Sequence, residues 1–132
     1  MAEALLDYRA LDGPLQGLQD APGWYVGFSG GVDSTVLLHL MQRWCKANPD
    51  SPALSAVHIN HRMQPAANAW QLHCEWLCKL LQIPIIARHV DVQPQGRGSE
   101  AAARAARYRI FEEQLGRGDI LFLAHHLDDQ VE

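Results

Sequence analysis

The sequence predicts an α/β fold in which a parallel sheet carries helices on both faces. Two observations predict it: four short apolar runs alternate with segments of helical period, and polar motifs recur just after the runs. Right-handed crossovers bring the C-terminal ends of such strands to one edge, where ligands of these folds bind. Residues 1–22 hold a short apolar cluster, Leu5 and Leu6, then a Gly/Pro/Gln/Asp-rich stretch expected as a surface loop and N-terminal extension. Trp24 to Phe28 reads as a buried strand and Ser29 to Asp33 as a glycine turn. Ser34 to Cys45 reads as a helix with Val36, Leu37, Leu40, Met41 and Trp44 on one face. Beyond Asn48-Pro49-Asp50-Ser51-Pro52, Leu54 to Ile59 is a second strand. Ala67 to Leu81 is a helix, with Ala69, Leu72, Trp76 and Leu80 expected on its buried stripe. Ile83-Pro84-Ile85-Ile86 is a third strand, its proline near the start, where a missing N–H matters least. After a loop at Gln93 to Gly98, Ser99 is expected to cap a helix, with Glu100 well placed against the dipole. That helix runs to about Leu115, and Gly116 suits its C-terminal cap. Ile120 to Ala124 is the fourth strand, and Asp128 opens a further helix. Residues 23–132 thus read as one domain, truncated as its last helix begins, so the natural protein is expected to continue.

At 132 residues the chain has the size of one domain, able to bury roughly two thirds of its unfolded surface. Hydrophobic residues at 48% and charged residues at 20% exclude a disordered chain. The longest apolar runs, Ile83 to Ala87 and Ile120 to Ala124, fall far short of the ~20 residues that cross a bilayer. The N-terminus carries an acid where a signal peptide wants a base. The expectation is a cytoplasmic protein with no membrane partner. Cys45, Cys74 and Cys78 form no Cys-x-x-Cys pair, so free buried thiols in a reducing compartment are expected. The formal net charge of −4 gives little pull on nucleic acid. Residues 97–117 alone are weakly basic, five arginines against Glu100, Glu112 and Glu113.

Chemistry concentrates in Phe28-Ser29-Gly30-Gly31-Val32-Asp33-Ser34-Thr35. Adjacent glycines let the backbone turn sharply and approach a ligand, and the amides that follow open a helix whose positive end favours phosphate. Asp33 repels an anion unless a cation intervenes, which points to a Mg²⁺-associated or polarising role. The spacing fits neither a Walker loop nor a Gly-x-Gly-x-x-Gly dinucleotide site. The same residues also suit an ordinary strand-to-helix turn.

Ser29-Gly30-Gly31-Val32-Asp33-Ser34 resembles the PP-loop of the ATP-pyrophosphatase superfamily, an adenine nucleotide alpha-hydrolase-like, Rossmann-like fold. Its members cleave ATP between the α- and β-phosphates to adenylate an oxygen, which a nitrogen or sulfur nucleophile then displaces as AMP. Three further segments resemble tRNA-Ile lysidine synthetases. They are Ala56-Val57-His58-Ile59-Asn60-His61, with Cys74 and Cys78 on the next helix, Ser99-Glu100-Ala101-Ala102-Ala103-Arg104-Ala105-Ala106-Arg107-Tyr108, and Ala124-His125-His126-Leu127-Asp128-Asp129-Gln130-Val131-Glu132. The second has one residue fewer between Ser and Glu than the family pattern, and the third stops just before the family's Thr. The likeness covers roughly residues 24–132.

The resemblance implies ATP-dependent ligation of free L-lysine, through its ε-amino group, to C2 of the wobble cytidine of tRNA-Ile bearing a CAU anticodon, by way of an adenylated tRNA. It implies ATP phosphates over Ser29, Gly30, Gly31, Val32, Asp33 and Ser34, with His58 and His126 beside the nucleotide. Asp33 serves the ATP–Mg²⁺ end. Asp129 and Glu132, three apart on one helix face, hold and deprotonate lysine, and Arg104 with Arg107 grips a carboxylate or phosphate. Simpler roles stay open: Asp128 and Asp129 as caps, and the arginines paired with Glu100 or Glu112 on a solvated face. His58 and His61 lack an evident third ligand for zinc. Two other functions compete, a 2-thiocytidine-forming PP-loop enzyme and a non-catalytic nucleotide-binding fragment. The 132-residue chain alone is expected to be inactive, and an uncovered sheet edge or face to favour a homodimer.

Overall fold

A computed structural model describes residues 7–61, 66–90 and 99–124. A 3-10 turn, Tyr8–Leu11, leads into α1 (Asp12–Gln16). There follow β1 (Gly23–Gly27), α2 (Val32–Ala47), β2 (Ala53–Asn60), α3 (Ala66–Leu81), β3 (Ile85–His89), α4 (Ser99–Gln114) and β4 (Ile120–Leu123). The strands form one sheet in the order β3-β2-β1-β4, with every described pairing parallel. Stepping from β1 to β2 to β3 moves one way across the sheet, and β4 returns to the far side of β1. Right-handed crossovers therefore put α2 and α3 on one face and α4 on the other.

Side-chain packing agrees. Trp24, Val26 and Phe28 alternate along β1 and enter one buried cluster with Leu38, Met41 and Trp44 of α2 and Cys74 and Cys78 of α3. Gly27 faces the opposite way, where an added Cβ would meet Leu123 and Phe111 of α4. Arg88 of β3 ties the end of α4 to the sheet through Glu113 at 2.7 Å and Gln114 at 3.2 Å.

Four expectations are corrected. Residues 8–18 are not a surface loop. Leu15 is buried in the main cluster, with Tyr8, Leu11 and Leu18 packed against it. Trp44 Nε1 donates to Asp12 Oδ1 at 2.7 Å, and Trp24 Nε1 donates to the Leu18 carbonyl at 3.1 Å. Pro14 is tolerated because it lies in the first helical turn, where its missing N–H has no intrahelical acceptor to lose. The stripe of α3 turned toward the sheet is Cys74 and Cys78 with Leu77 and Leu81; Leu72, Trp76 and Leu80 are 66%, 55% and 61% exposed, and Ala69 is exposed too. Ser99 is the first residue within α4 rather than its cap. Gly116 does not take the left-handed cap conformation; Gly118 does, at φ +88, while the Gly116 N–H donates to Asp119 Oδ2 at 2.7 Å.

Along α2 the buried line is Ser34, Leu38, Met41 and Trp44, with Val36 and Leu40 half-buried beside it. The third strand starts only after Pro84, because α3 closes first. Gln82 takes φ 60 and the Ile83 N–H reaches back to the Cys78 carbonyl at 2.9 Å, a left-handed helix stop on a non-glycine residue. The expected structures at Leu5–Leu6, Gln93–Gly98 and Asp128 onward lie outside the described residues.

Candidate nucleotide-binding site

The carboxyl ends of all four strands share one edge, and the sheet order reverses beside β1, between it and β4. Ligands of open α/β sheets bind at such a switch point. The Ser29–Ser34 loop occupies it. Leu123 is in register with Gly27, so β4 ends beside the end of β1, where the loop begins.

The loop is held from several sides. Phe28 prolongs β1, its N–H donating to the Val57 carbonyl at 2.8 Å. Its own carbonyl accepts from His58 Nδ1 at 2.9 Å. A carbonyl only accepts, so the Nδ1 of His58 carries a proton. Gly30 turns the chain at φ +88, a conformation strained for any residue with a Cβ. Space forbids one as well: it would lie 2.7 Å from Cys74 Sγ and 2.9 Å from Trp70 Nε1. Ser34, buried, donates its hydroxyl to the Gly31 carbonyl at 3.3 Å and accepts from the Gly30 N–H at 3.2 Å. The Ser29 and Ser34 hydroxyls are 3.1 Å apart, and Ser29 Oγ accepts from the Gly31 N–H at 3.2 Å.

Gly31, at φ −73 and ψ 174, is ordinary extended backbone, so of the two adjacent glycines only Gly30 turns the chain through positive φ. Gly31 is the N-cap of α2 and offers no side-chain cap. The first intrahelical bond runs from Thr35 N–H to the Gly31 carbonyl at 3.0 Å. The amides of Val32, Asp33 and Ser34 therefore have no acceptor within the helix, and the helix dipole adds positive potential there. Val32 is 79% exposed and Asp33 is the acid of that first turn.

At the same edge, Asn60 Nδ2 donates to Asn68 Oδ1 and Gln71 Oε1, each at 2.9 Å, and His89 Nε2 is 2.9 Å from Gln71 Oε1. This network fixes the start of α3 against β2 and β3. On the other face of the sheet, His61 has its Nδ1 buried with no hydrogen-bond partner. Burial, then the charges of Arg107 and His58, hold its pKa below the ordinary 6.5. Arg107 is exposed, and Arg104 lies over the Tyr108 ring at 5.7 Å.

The site residues expected from sequence thus divide. Ser29, Gly30, Gly31, Val32, Asp33 and Ser34 form one loop, with His58 beneath it as a buried support. Arg104 and Arg107 lie on α4, with Arg107 near His61. His126, Asp129 and Glu132 lie outside the described residues. Sequence reasoning missed Trp70 and the approach of Cys74 to the loop, for which the spacing of the two, one helical turn apart, was the available signal. Cys74 and Cys78 are free, and burial pushes their thiols up to about 11 and about 12. Among the described residues no three His, Cys, Asp or Glu side chains gather to hold a metal ion, and no helix is long and apolar enough to cross a membrane.

Comparison with known proteins adds the family. The chain is 51% identical over 113 residues to the tRNA(Ile)-lysidine synthase of Pseudomonas putida, covering 86% of this chain and 26% of that protein. It is 49% identical over 114 residues to that of Pseudomonas aeruginosa, covering 86% and 25%. For Escherichia coli O157:H7 the figures are 47% over 107 residues, 81% and 25%. The chain spans about a quarter of the length of these relatives. Among solved structures, the U34-tRNA thiolase NcsA from Methanococcus maripaludis, with its 4Fe–4S cluster, matches at a TM-score of 0.71. That match covers 92% of this chain and 44% of the other at 21% identity, a likeness of fold. A sequence model of the PP-loop domain matches residues 7–132, and the chain belongs to the PP-loop family.

Proposed function

We propose that this chain binds ATP with its phosphates over Ser29–Ser34, and supplies the nucleotide-activating part of an enzyme that makes lysidine in tRNA-Ile. The observation that carries the reading is the loop at the switch point, where the N-terminus of α2 opens directly after the carboxyl end of β1. In this reaction the cytidine O2 attacks the α-phosphorus of ATP and pyrophosphate leaves. The ε-amine of lysine then attacks C2 and displaces AMP. The amides of Val32, Asp33 and Ser34 stabilise charge developing on the phosphates. A divalent cation, for which the Asp33 carboxylate is a suitable oxygen ligand, would neutralise the leaving pyrophosphate. His58 acts by holding the Phe28 carbonyl and so the entry to the loop. Asp129 and Glu132 bind and deprotonate lysine, and Arg104 and Arg107 contact a substrate carboxylate or phosphate. The buried, unionised state of Cys74 and Cys78 favours this reading over sulfur transfer, as do relatives named for lysidine at about 50% identity.

The test is calorimetric titration of the chain with MgATP and then lysine. Gly31→Val suits extended backbone and meets only Ser29 Oγ at 3.4 Å, so the protein is expected to fold while its side chain obstructs the phosphates. Affinity for MgATP should fall by at least about tenfold, ~1.4 kcal/mol. Undiminished binding in the folded variant sinks the site. Asp129→Asn should weaken lysine and spare ATP; the reverse would move that carboxylate to the metal.

A further inference from the structure

Trp70 and Cys74 lie one turn apart on α3, and both reach the loop that follows β1. The Trp70 indole N–H donates to the Ser29 carbonyl at 2.6 Å, and the Cys74 thiol donates to the same oxygen at 3.7 Å. Gly30 sits against both side chains so closely that no Cβ fits. The indole is itself supported, stacked on His73 at 4.8 Å, which stacks on Trp76 at 6.1 Å.

We propose that Trp70 is a positioning residue for the nucleotide loop, holding the Ser29–Gly30 peptide so that the loop amides, not a carbonyl, face the phosphates. The peptide unit is planar, so a carbonyl directed at α3 sends the Gly30 N–H the opposite way. There it meets Ser34 Oγ at 3.2 Å, which also holds the Gly31 carbonyl. Glycine resists rotation of that plane least of all residues. Without the indole bond the Ser29 carbonyl is released toward the incoming polyphosphate, where it would repel. This inference rests on the ATP reading for its ligand, and on the indole bond alone for its geometry.

The experiment uses the whole chain, wild type and Trp70→Phe, which keeps a ring and loses the N–H. Trp70 is 45% exposed, so the variant is expected to fold, and its urea midpoint checks this. Without nucleotide, the Gly30 and Gly31 amide resonances should shift in Trp70→Phe and stay put in Trp76→Phe. Affinity for MgATP should fall about 3–10-fold with an unchanged midpoint, the worth of one neutral hydrogen bond. Unmoved glycine amides, or wild-type affinity in Trp70→Phe, overturn the proposal. If the wild-type chain itself takes up no MgATP, the nucleotide reading fails, and the glycine amides alone still decide what Trp70 does.

Discussion

His61 shows how much one side chain can report about the sheet edge it occupies. Its Nδ1 is buried without a partner, and burial together with Arg107 and His58 depresses its pKa. In the unfolded chain the imidazole takes a proton near its ordinary 6.5; in the folded chain it resists one. Below that pH the unfolded state binds more protons, so the contribution of His61 is present above pH 6.5 and is lost as pH falls through the folded value. Urea midpoints should therefore drop between about pH 7.5 and pH 5.5, and the drop should be smaller in His61→Gln. An identical drop in both would show that His61 is solvated. None of this was legible in the sequence, where His61 is one of seven histidines and nothing marks the depth of its ring. The glycine turn was legible, since Gly30 and Gly31 free the backbone to turn sharply directly after an apolar run. Which glycine takes positive φ was not, because the decision belongs to Trp70 and Cys74, some forty residues away.

At the scale of elements, the strands read well and the helix faces less so. Short apolar runs bounded by glycine, proline or asparagine have few structural options, and three expected strands are present to within a residue, while the third is displaced from 83–86 to Ile85–His89. α3 is different. Apolar residues wrap much of its circumference, so periodicity offers Leu72–Trp76–Leu80 as readily as Cys74–Cys78. The close approach of α3 to Gly30 decides for the small thiols, and the larger side chains turn outward. α1 was obscured by Gly13 and Pro14, though Leu11, Leu15 and Leu18 recur at helical spacing through them. The corrected face of α3 has an energetic consequence. Leu72→Lys and Leu80→Lys, at positions already mostly exposed, should each change the unfolding free energy by less than ~0.5 kcal/mol. Cys78→Ser buries a hydroxyl among apolar side chains and should cost about 1–3 kcal/mol. Urea denaturation of the three variants checks this. A loss at Leu80 as large as at Cys78 would mean the outer face is covered in solution.

For the molecule as a whole, alternation of strands and helices was enough to imply a parallel sheet with a common ligand edge. It did not say that β4 lies beside β1, which is what creates the switch point at the loop. The same scale governs any binding of the tRNA proposed above as substrate. The chain carries 11 Lys and Arg against 15 Asp and Glu, for a net charge of −4, so its charge as a whole offers no pull on a polyanion. Of the described arginines, Arg9 is paired with Asp7 at 2.8 Å and Arg88 with Glu113 at 2.7 Å. Arg104, Arg107 and Arg109 on α4 are all exposed, and the first two are the ones proposed above to contact substrate. Two phosphate contacts would release about two counterions, so the dependence of log affinity on log salt should have a slope of roughly −2. Filter binding of tRNA-Ile bearing a CAU anticodon should thus show weak retention, lost near ~0.15 M salt, and Arg107→Gln should reduce the slope by about 1. Incubated with ATP, Mg²⁺, lysine and that tRNA, the 132-residue chain should yield no lysidine on nucleoside digestion, for want of bound tRNA rather than of nucleotide. A steep salt slope would show that more cations than these meet phosphate, and lysidine made at the rate of the longer Pseudomonas putida relative would show that this domain recognises tRNA by shape and base contacts with little help from charge.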